Sequence, residues 1–283
     1  MKKSVSLIIC TVMLLSMMLV FAAAEANPTV YVNVSDGSGE IALAYKPVSV
    51  TDADGDGALT ISDALYCAHE AYFEGGAAAG YVGENTQYGI SLVKLWGVEN
   101  GGSYGYCLNN SPAMSLADAV KDGDVVSAYA YADTAGFSDV FAYFSENECN
   151  IDEEQNVSLK LFYISYDENF NPVSSPVADA EIFYNGEAAG VKTAADGSFT
   201  INVGAMDGIV TAKSSSLKLV PPVCKVHADS KNVGEFFDNL EVRNSNEVKG
   251  GGSTAATVAI VAVIVIAVAA TVAVVVKKNK GQE

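Results

Sequence analysis

The chain has 283 residues, with 34 acidic side chains against 16 basic ones and a formal net charge of −18 at pH 7. The basic residues are unevenly spread: 11 fall between residues 27 and 254 against 32 acidic ones, which leaves that segment at −21. No nucleic-acid partner is expected, because there is no basic surface to displace counterions from phosphates.

Met1 to Ala24 carries Lys2 and Lys3, an apolar run from Val5 to Phe21, and the small residues Ala22-Ala23-Ala24. That is the pattern of a cleaved secretory signal, and Cys10 would be lost with it. Val30 to Val34 (VYVNV) then reads as a short strand. Tyr45 to Thr51 (YKPVSVT), with its Pro and β-branched residues, favours extended backbone.

Asp52 to Asp63 (DADGDGALTISD) has the spacing of a twelve-residue calcium loop. Oxygen ligands are expected from Asp52, Asp54 and Asp56 at positions 1, 3 and 5, and from the Ala58 carbonyl at position 7. Thr60 would act through a water at position 9, and Asp63 closes the site at position 12. Gly57 supplies the sharp turn at position 6. Like charges about 4 Å apart repel by about 4 kcal/mol at an effective dielectric near 20, so converging carboxylates call for a cation. Ca²⁺ is the expected ion, bound with extracellular-type affinity of roughly 10⁻⁴ to 10⁻³ M. A sensor loop would carry Glu at position 12; the Asp63 found there resembles the dockerin repeats of bacterial surface assemblies.

Thr60 and Asp63 fit a capping box. Ile61, Ala64, Leu65, Ala68 and Tyr72 share one helical face, and Gly75-Gly76 ends the helix. Strand-like runs follow at Ile90 to Leu95, Tyr104 to Leu108 and Val125 to Tyr131, divided by Gly101-Gly102, Asn109-Asn110 and Asp122-Gly123. The order DALYCAHEAY, YGISLVKLWG, YGYCLNN, KDGDVVSAYAY resembles a bacterial domain related to the C-terminal domain of transcobalamin. The elements themselves suggest a first domain over residues 28–144, one helix on a small sheet; the resemblance, which covers roughly Thr51 to Tyr131, raises capture of a small ligand such as a corrinoid.

An acidic stretch from Glu146 to Glu154 marks the expected boundary. A second domain, 156–229, is expected from strands at Val157 to Ser165, Ala180 to Tyr184, Gly190 to Thr193, Ser198 to Val203 and Ile209 to Lys213, with Asn185-Gly186, Asp196-Gly197 and Asp207-Gly208 turns between them. The run ADAEIFYNGEAAGVKTAADGSFTINV resembles prealbumin-like or carboxypeptidase-regulatory-like β-sandwiches, which implies a spacer. Cys67, Cys107, Cys149 and Cys224 permit disulfides in an exported chain; Cys67 with Cys107 and Cys149 with Cys224 is the favoured connectivity, with free thiols as the alternative. Asn33-Val34-Ser35 and Asn156-Val157-Ser158 match glycosylation acceptors, triplets that also arise by chance.

Residues 230–253 become polar and then Gly-rich, as in a flexible stalk. Ala255 to Val276 gives 22 residues without a charge or Pro, enough to span a ~30 Å hydrocarbon core as a single transmembrane helix. Lys277, Lys278 and Lys280 in the tail, 277–283, hold that end in the cytoplasm, with the N-terminal ectodomain extracellular. The expected fold class is thus mainly β, with one α-helix in the first domain (α+β), then a β-sandwich, then the membrane helix.

Catalytic patterns are wanting. His69-Glu70 on a helix continues Ala71-Tyr72-Phe73, so the second His of a zinc-protease motif is missing and His69 is expected at the flank of the packed face; no nucleophile elbow, phosphate loop or dinucleotide fingerprint occurs. Trp96, Tyr104, Tyr106, Tyr129 and Tyr131 gather late in the first domain; their faces suit sugars or a flat cofactor, or core packing. The expectation is a calcium-binding, membrane-anchored, non-catalytic surface module for binding or adhesion. Its partner would be an extracellular protein, glycan or small ligand, and a dockerin-like scaffold is the alternative.

Overall fold

The computed structural model describes residues 27–228 apart from Tyr88 and Glu153. The expected signal, stalk, membrane helix and tail lie outside the described residues. Among the described residues, no helix is long and apolar enough to cross a membrane.

The architecture is mainly β. The first half comprises β1 (Thr29–Ser35), β2 (Ile41–Ser49), α1 (Ile61–Tyr72), α2 (Gly76–Gly80), β3 (Val82–Thr86), β4 (Gly89–Lys94), β5 (Tyr104–Leu108), β6 (Ser111–Pro112) and β7 (Val125–Ala130). The second comprises β8 (Asp139–Phe144), β9 (Glu148–Asn150), β10 (Asn156–Tyr166), β11 (Pro172–Pro176), β12 (Glu181–Tyr184), β13 (Glu187–Lys192), β14 (Ser198–Asn202), β15 (Gly208–Lys213), β16 (Lys218–Val220) and β17 (Cys224–His227).

In the first half, five strands form a sheet in the order β2-β1-β7-β5-β6, while β3 and β4 make a separate hairpin. Pro47 lies in β2, at the sheet's edge, where a missing N–H breaks no ladder. Alternation sends Val30, Val32 and Val34 of β1, with Val126 and Ala128 of β7, into one core. Against them α1 places Ile61, Ala64, Leu65 and Ala68, all fully buried, at i, i+3, i+4 and i+7. The opposite face of β5 and β7 is covered too, because Cys107 and Tyr129 pack with Phe141, Ile164 and Val220 of the second half. All six β7 residues are therefore buried, and VVSAYA reads as a continuous apolar run with a single Ser.

Three expectations for α1 need correction. Tyr72 is 41% exposed rather than in the core, and its phenol reaches across to donate to the Pro47 carbonyl at 2.8 Å. A second helix, the five-residue Ala-rich α2, follows where one helix was expected; Gly75, in the left-handed region, makes the turn into it. His69, which the sequence places at the flank of the apolar face, is fully buried on the Ile61–Leu65 stripe. Gly80 makes room for it, since a Cβ there would lie 2.8 Å from the imidazole and 2.5 Å from the Phe73 ring.

His69 Nδ1–H donates to the Leu65 carbonyl at 2.6 Å, and Nε2 accepts from the Trp96 amide at 2.9 Å. That pairing needs a neutral imidazole, and burial lowers its pKa from the ordinary 6.5. The unfolded chain therefore takes up a proton as pH falls through about 6.5 while the folded chain does not. Stability is complete above that pH and declines below it by up to about 1.4 kcal/mol per unit. Urea midpoints measured between about pH 7.5 and 5.5 should fall accordingly, and His69→Gln should flatten the slope.

The second half forms two sheets, β11-β10-β8-β16 with β14 also on β10, and β13-β12-β15-β17-β9. They close over one core, with Phe144, Leu161 and Phe199 from the first sheet meeting Ile182, Val210 and Val226 from the second. Asn185-Gly186 joins β12 to β13 with both residues at positive φ, as a two-residue hairpin of the primed type requires. The expected boundary moves. β8, read as the end of a first domain at 144, is hydrogen-bonded to β10 and β16, and the acidic stretch read as a boundary contains β9.

The cysteines separate accordingly. Cys67 packs beside the α1 core and lies 3.4 Å from Thr51 Oγ1, whereas Cys107 is buried on the opposite face of the sheet, so those two do not pair. Cys149 on β9 and Cys224 on β17 do come together, with sulfurs 3.7 Å apart. The Asn33 side chain accepts from the Tyr45 amide at 2.7 Å and donates to Ser127 Oγ at 3.2 Å, a tethered position ill-suited to a glycan.

Candidate metal centre

The loop between β2 and α1 is organised by its own acidic side chains. Asp52 Oδ1 accepts from the amides of Gly55 (2.7 Å) and Asp56 (3.2 Å), and Oδ2 from Gly57 (2.9 Å). Gly55 and Gly57 both have positive φ, so the chain can coil tightly around that carboxylate. Asp54 Oδ1 accepts from the Asp56 amide at 3.2 Å, and Asp56 Oδ1 accepts from Ala58 at 2.7 Å.

At the far end Thr60 caps α1. Its hydroxyl accepts from the Asp63 amide at 3.3 Å and donates to Asp63 Oδ2 at 2.6 Å, while its amide donates to the same oxygen at 2.9 Å. Asp63 Oδ1 takes the Ala53 amide at 2.9 Å, which staples the start of the loop to its end. The chain around Thr60 is fixed from outside as well: Val120 donates to the Leu59 carbonyl, Ile61 to Asp118 and Ser62 to Leu116, at 2.9 to 3.0 Å. That clamp has no local sequence signal, because its two strands are more than fifty residues apart.

Carboxylate oxygens of Asp52, Asp54 and Asp63 all lie within 4.8 Å of one another. Two oxygens bound to one Ca²⁺ at 2.3–2.6 Å can be at most about 5 Å apart, so the trio fits a single ion. Of the six expected ligands these three converge. Asp56 is turned to the Ala58 amide, and the Thr60 hydroxyl is committed to the helix cap.

Electrostatics divide the trio. Backbone amides, Gly57 foremost, hold Asp52 below the usual carboxylate range. For Asp54 the Asp56 amide acts in the same direction, but partial desolvation and the charges of Asp56, Asp63 and Asp52 outweigh it, and the net shift is upward. A cation among these oxygens would remove that repulsion.

A cavity of about 330 Å³ opens beside the loop, lined by Asp54, Asp63, Tyr66, Tyr81 and Asn85 among others. The Tyr81 phenol shares a 2.8 Å hydrogen bond with Ser62, and burial pushes its pKa up to about 12. The other histidine, His227, is hydrogen-bonded to Glu148 and lies 3.7 Å from Asp207. Glu148 in turn accepts from the Tyr45 phenol at 3.2 Å, a chain that joins β2 to β9 and β17.

No protein-family model and no curated protein sequence matches this chain. Among solved structures, it shows a likeness to the N-terminal four Ig domains of Dscam1 isoform 9.44, at 9% sequence identity and a TM-score of 0.21, over 72% of this chain and 44% of that one. A TM-score of that size does not establish a shared fold.

Proposed function

We propose that this chain is a calcium-stabilised, non-catalytic binding or adhesion module, displayed outside the cell on a pair of packed sheets and held at the membrane by residues 255–276. The observation that carries the metal reading is the convergence of Asp52, Asp54 and Asp63 to within 4.8 Å at the start of α1. Sequence spacing supports Ca²⁺ over other ions, since every donor in the loop is a hard oxygen. The address rests on the apolar run of 22 residues followed by lysines. The non-catalytic reading is supported by His69, whose two ring nitrogens are both committed to backbone groups.

Thermal melting of the full-length chain in detergent tests this. With a dissociation constant of 10⁻⁴ to 10⁻³ M, about 10 mM Ca²⁺ should stabilise the fold by about 1.4 to 2.7 kcal/mol over the chelated protein. That corresponds to a rise of roughly 3 to 10 °C in Tm. Asp54→Ala, which removes one ligand and only one loop hydrogen bond, should abolish the rise. Identical curves with calcium and with chelator would end the metal reading.

We also propose that Cys149 and Cys224 close into a disulfide outside the cell, where oxidising conditions prevail.

A further inference from the structure

A track of aromatic rings crosses from the first half to the second. Phe137, Tyr131, Tyr129, Phe141, Tyr143 and Phe162 follow one another with successive ring centroids 5.3 to 6.2 Å apart. The order is dictated by strand alternation. Tyr129 and Tyr131 point the same way at the end of β7, Phe141 and Tyr143 share the outward face of β8, and Tyr143 pairs with Phe162 across to β10. Gly105, opposite Tyr129 in the β5–β7 ladder, lets that ring lie across the strand, since a Cβ there would be 2.1 Å from it.

Along this track lies a cleft of about 390 Å³. Tyr129 and Phe141 form its buried floor, at 7% exposure each, while Phe137 (56%) and Tyr166 (59%) stand open at its rim. These two exposed rings flank one concave surface.

Three observations select the occupant. The lining holds no Lys, Arg or His, and its one charge, Asp139, is already answered by the amides of Ala132 (3.2 Å) and Asp133 (2.8 Å) and by Lys218 at 3.7 Å. An ionic ligand would find no free counter-charge there, and the net −21 of the surrounding segment repels acidic polymers. The volume is at the lower end of the range for ligand pockets, about 300 to 1,000 Å³, and the open rim cannot enclose a small molecule as such pockets do. It suits a chain laid across it, with one or two units in the cleft. The Tyr129 and Tyr131 rings, tilted against each other with centroids 5.3 Å apart, bring two phenols in among apolar faces. Alternating hydroxyl and C–H surfaces on a pyranose ring match that pattern, and the ring spacing is of the same order as one sugar residue.

We infer that the aromatic cleft between β5, β7, β8 and β10 binds a neutral oligosaccharide, which names the ligand class for the binding role proposed above and rests on that role while needing no metal.

Full-length protein in detergent, titrated calorimetrically with neutral hexasaccharides of β-1,4-glucan, β-1,3-glucan and chitin, with and without calcium, provides the test. At least one should bind, and Phe137→Ala with Tyr166→Ala should weaken it at least tenfold with Tm unchanged, since both rings are at the surface. Absence of binding to all three overturns the inference, as does binding that the double variant leaves intact. Preferential binding of choline, or of an aromatic peptide, would assign the cleft to another class and overturn it equally. Calcium-dependent melting without glycan binding removes this inference alone; glycan binding with no calcium effect removes the metal reading alone.

Discussion

Oxidised glutathione should join Cys149 to Cys224, and reducing that bond should cost the fold about 4 kcal/mol, roughly 10 °C in Tm. The magnitude follows from the two cysteines' separation of 75 residues, which makes the closed loop long and its entropy in the unfolded chain large. Geometry favours the bond. Cys149 lies opposite Val226 in the parallel β9–β17 ladder, so Cys224, two residues earlier, points to the same side. Chemistry favours it as well: the hydrogen bond from Cys224 holds the half-buried Cys149 thiol below its ordinary pKa, while that same bond and burial push Cys224 up. Cys149, half-buried where Cys224 is fully buried, is the more accessible of the two to glutathione. Mass spectrometry after proteolysis of the oxidised protein should find this pair linked and Cys107 reduced, because Cys107 is buried and burial raises its pKa to about 12. Cys149→Ser should erase the redox dependence of melting.

Asp63→Ala should cost about 3 kcal/mol even in chelator, and should abolish calcium stabilisation as well. The carboxylate is 2% exposed and accepts from the Ala53 amide, the Thr60 amide and the Thr60 hydroxyl. Removing it strands those donors and breaks the capping box, each loss worth on the order of 1 to 2 kcal/mol with incomplete additivity. Urea unfolding checks the intrinsic loss, and the same titration in calcium checks the second. Asp54→Ala separates the two effects: it should lose the calcium response at little intrinsic cost, because Asp54 is exposed.

The acidic loop and α1 were legible because both are local. Oxygen side chains at fixed offsets, glycines where φ must be positive, and a 3.6-residue apolar stripe all appear within 25 residues of one another. His69 could have been found too, since Ile61, Leu65 and His69 recur at i, i+4 and i+8. Strands with their own alternation, such as β5 and β10, were equally readable. Pairing was not. β16 and β17 join β8 and β9 in parallel from some 75 to 80 residues away, and nothing in DVFAYF or ECN announces those partners. Acidic composition misled in the same place: Glu146 to Glu154 reads as a boundary, yet Glu148 is held by Tyr45 and His227. Likewise, Tyr129 and Tyr131 gave one signal for core and for ligand surface. That Tyr129 lies in a buried floor below an open rim of Phe137 and Tyr166 depends on the second half covering only part of that face.

The position of β17 has a mechanical consequence. It lies inside its sheet, with β15 antiparallel on one side and β9 parallel on the other. Tension arriving at Ala228 from the remainder of the chain therefore falls on two ladders simultaneously. A strand at the margin would give up one ladder alone, whereas this one must part from both neighbours together, so the end of the described chain is doubly held against being pulled apart.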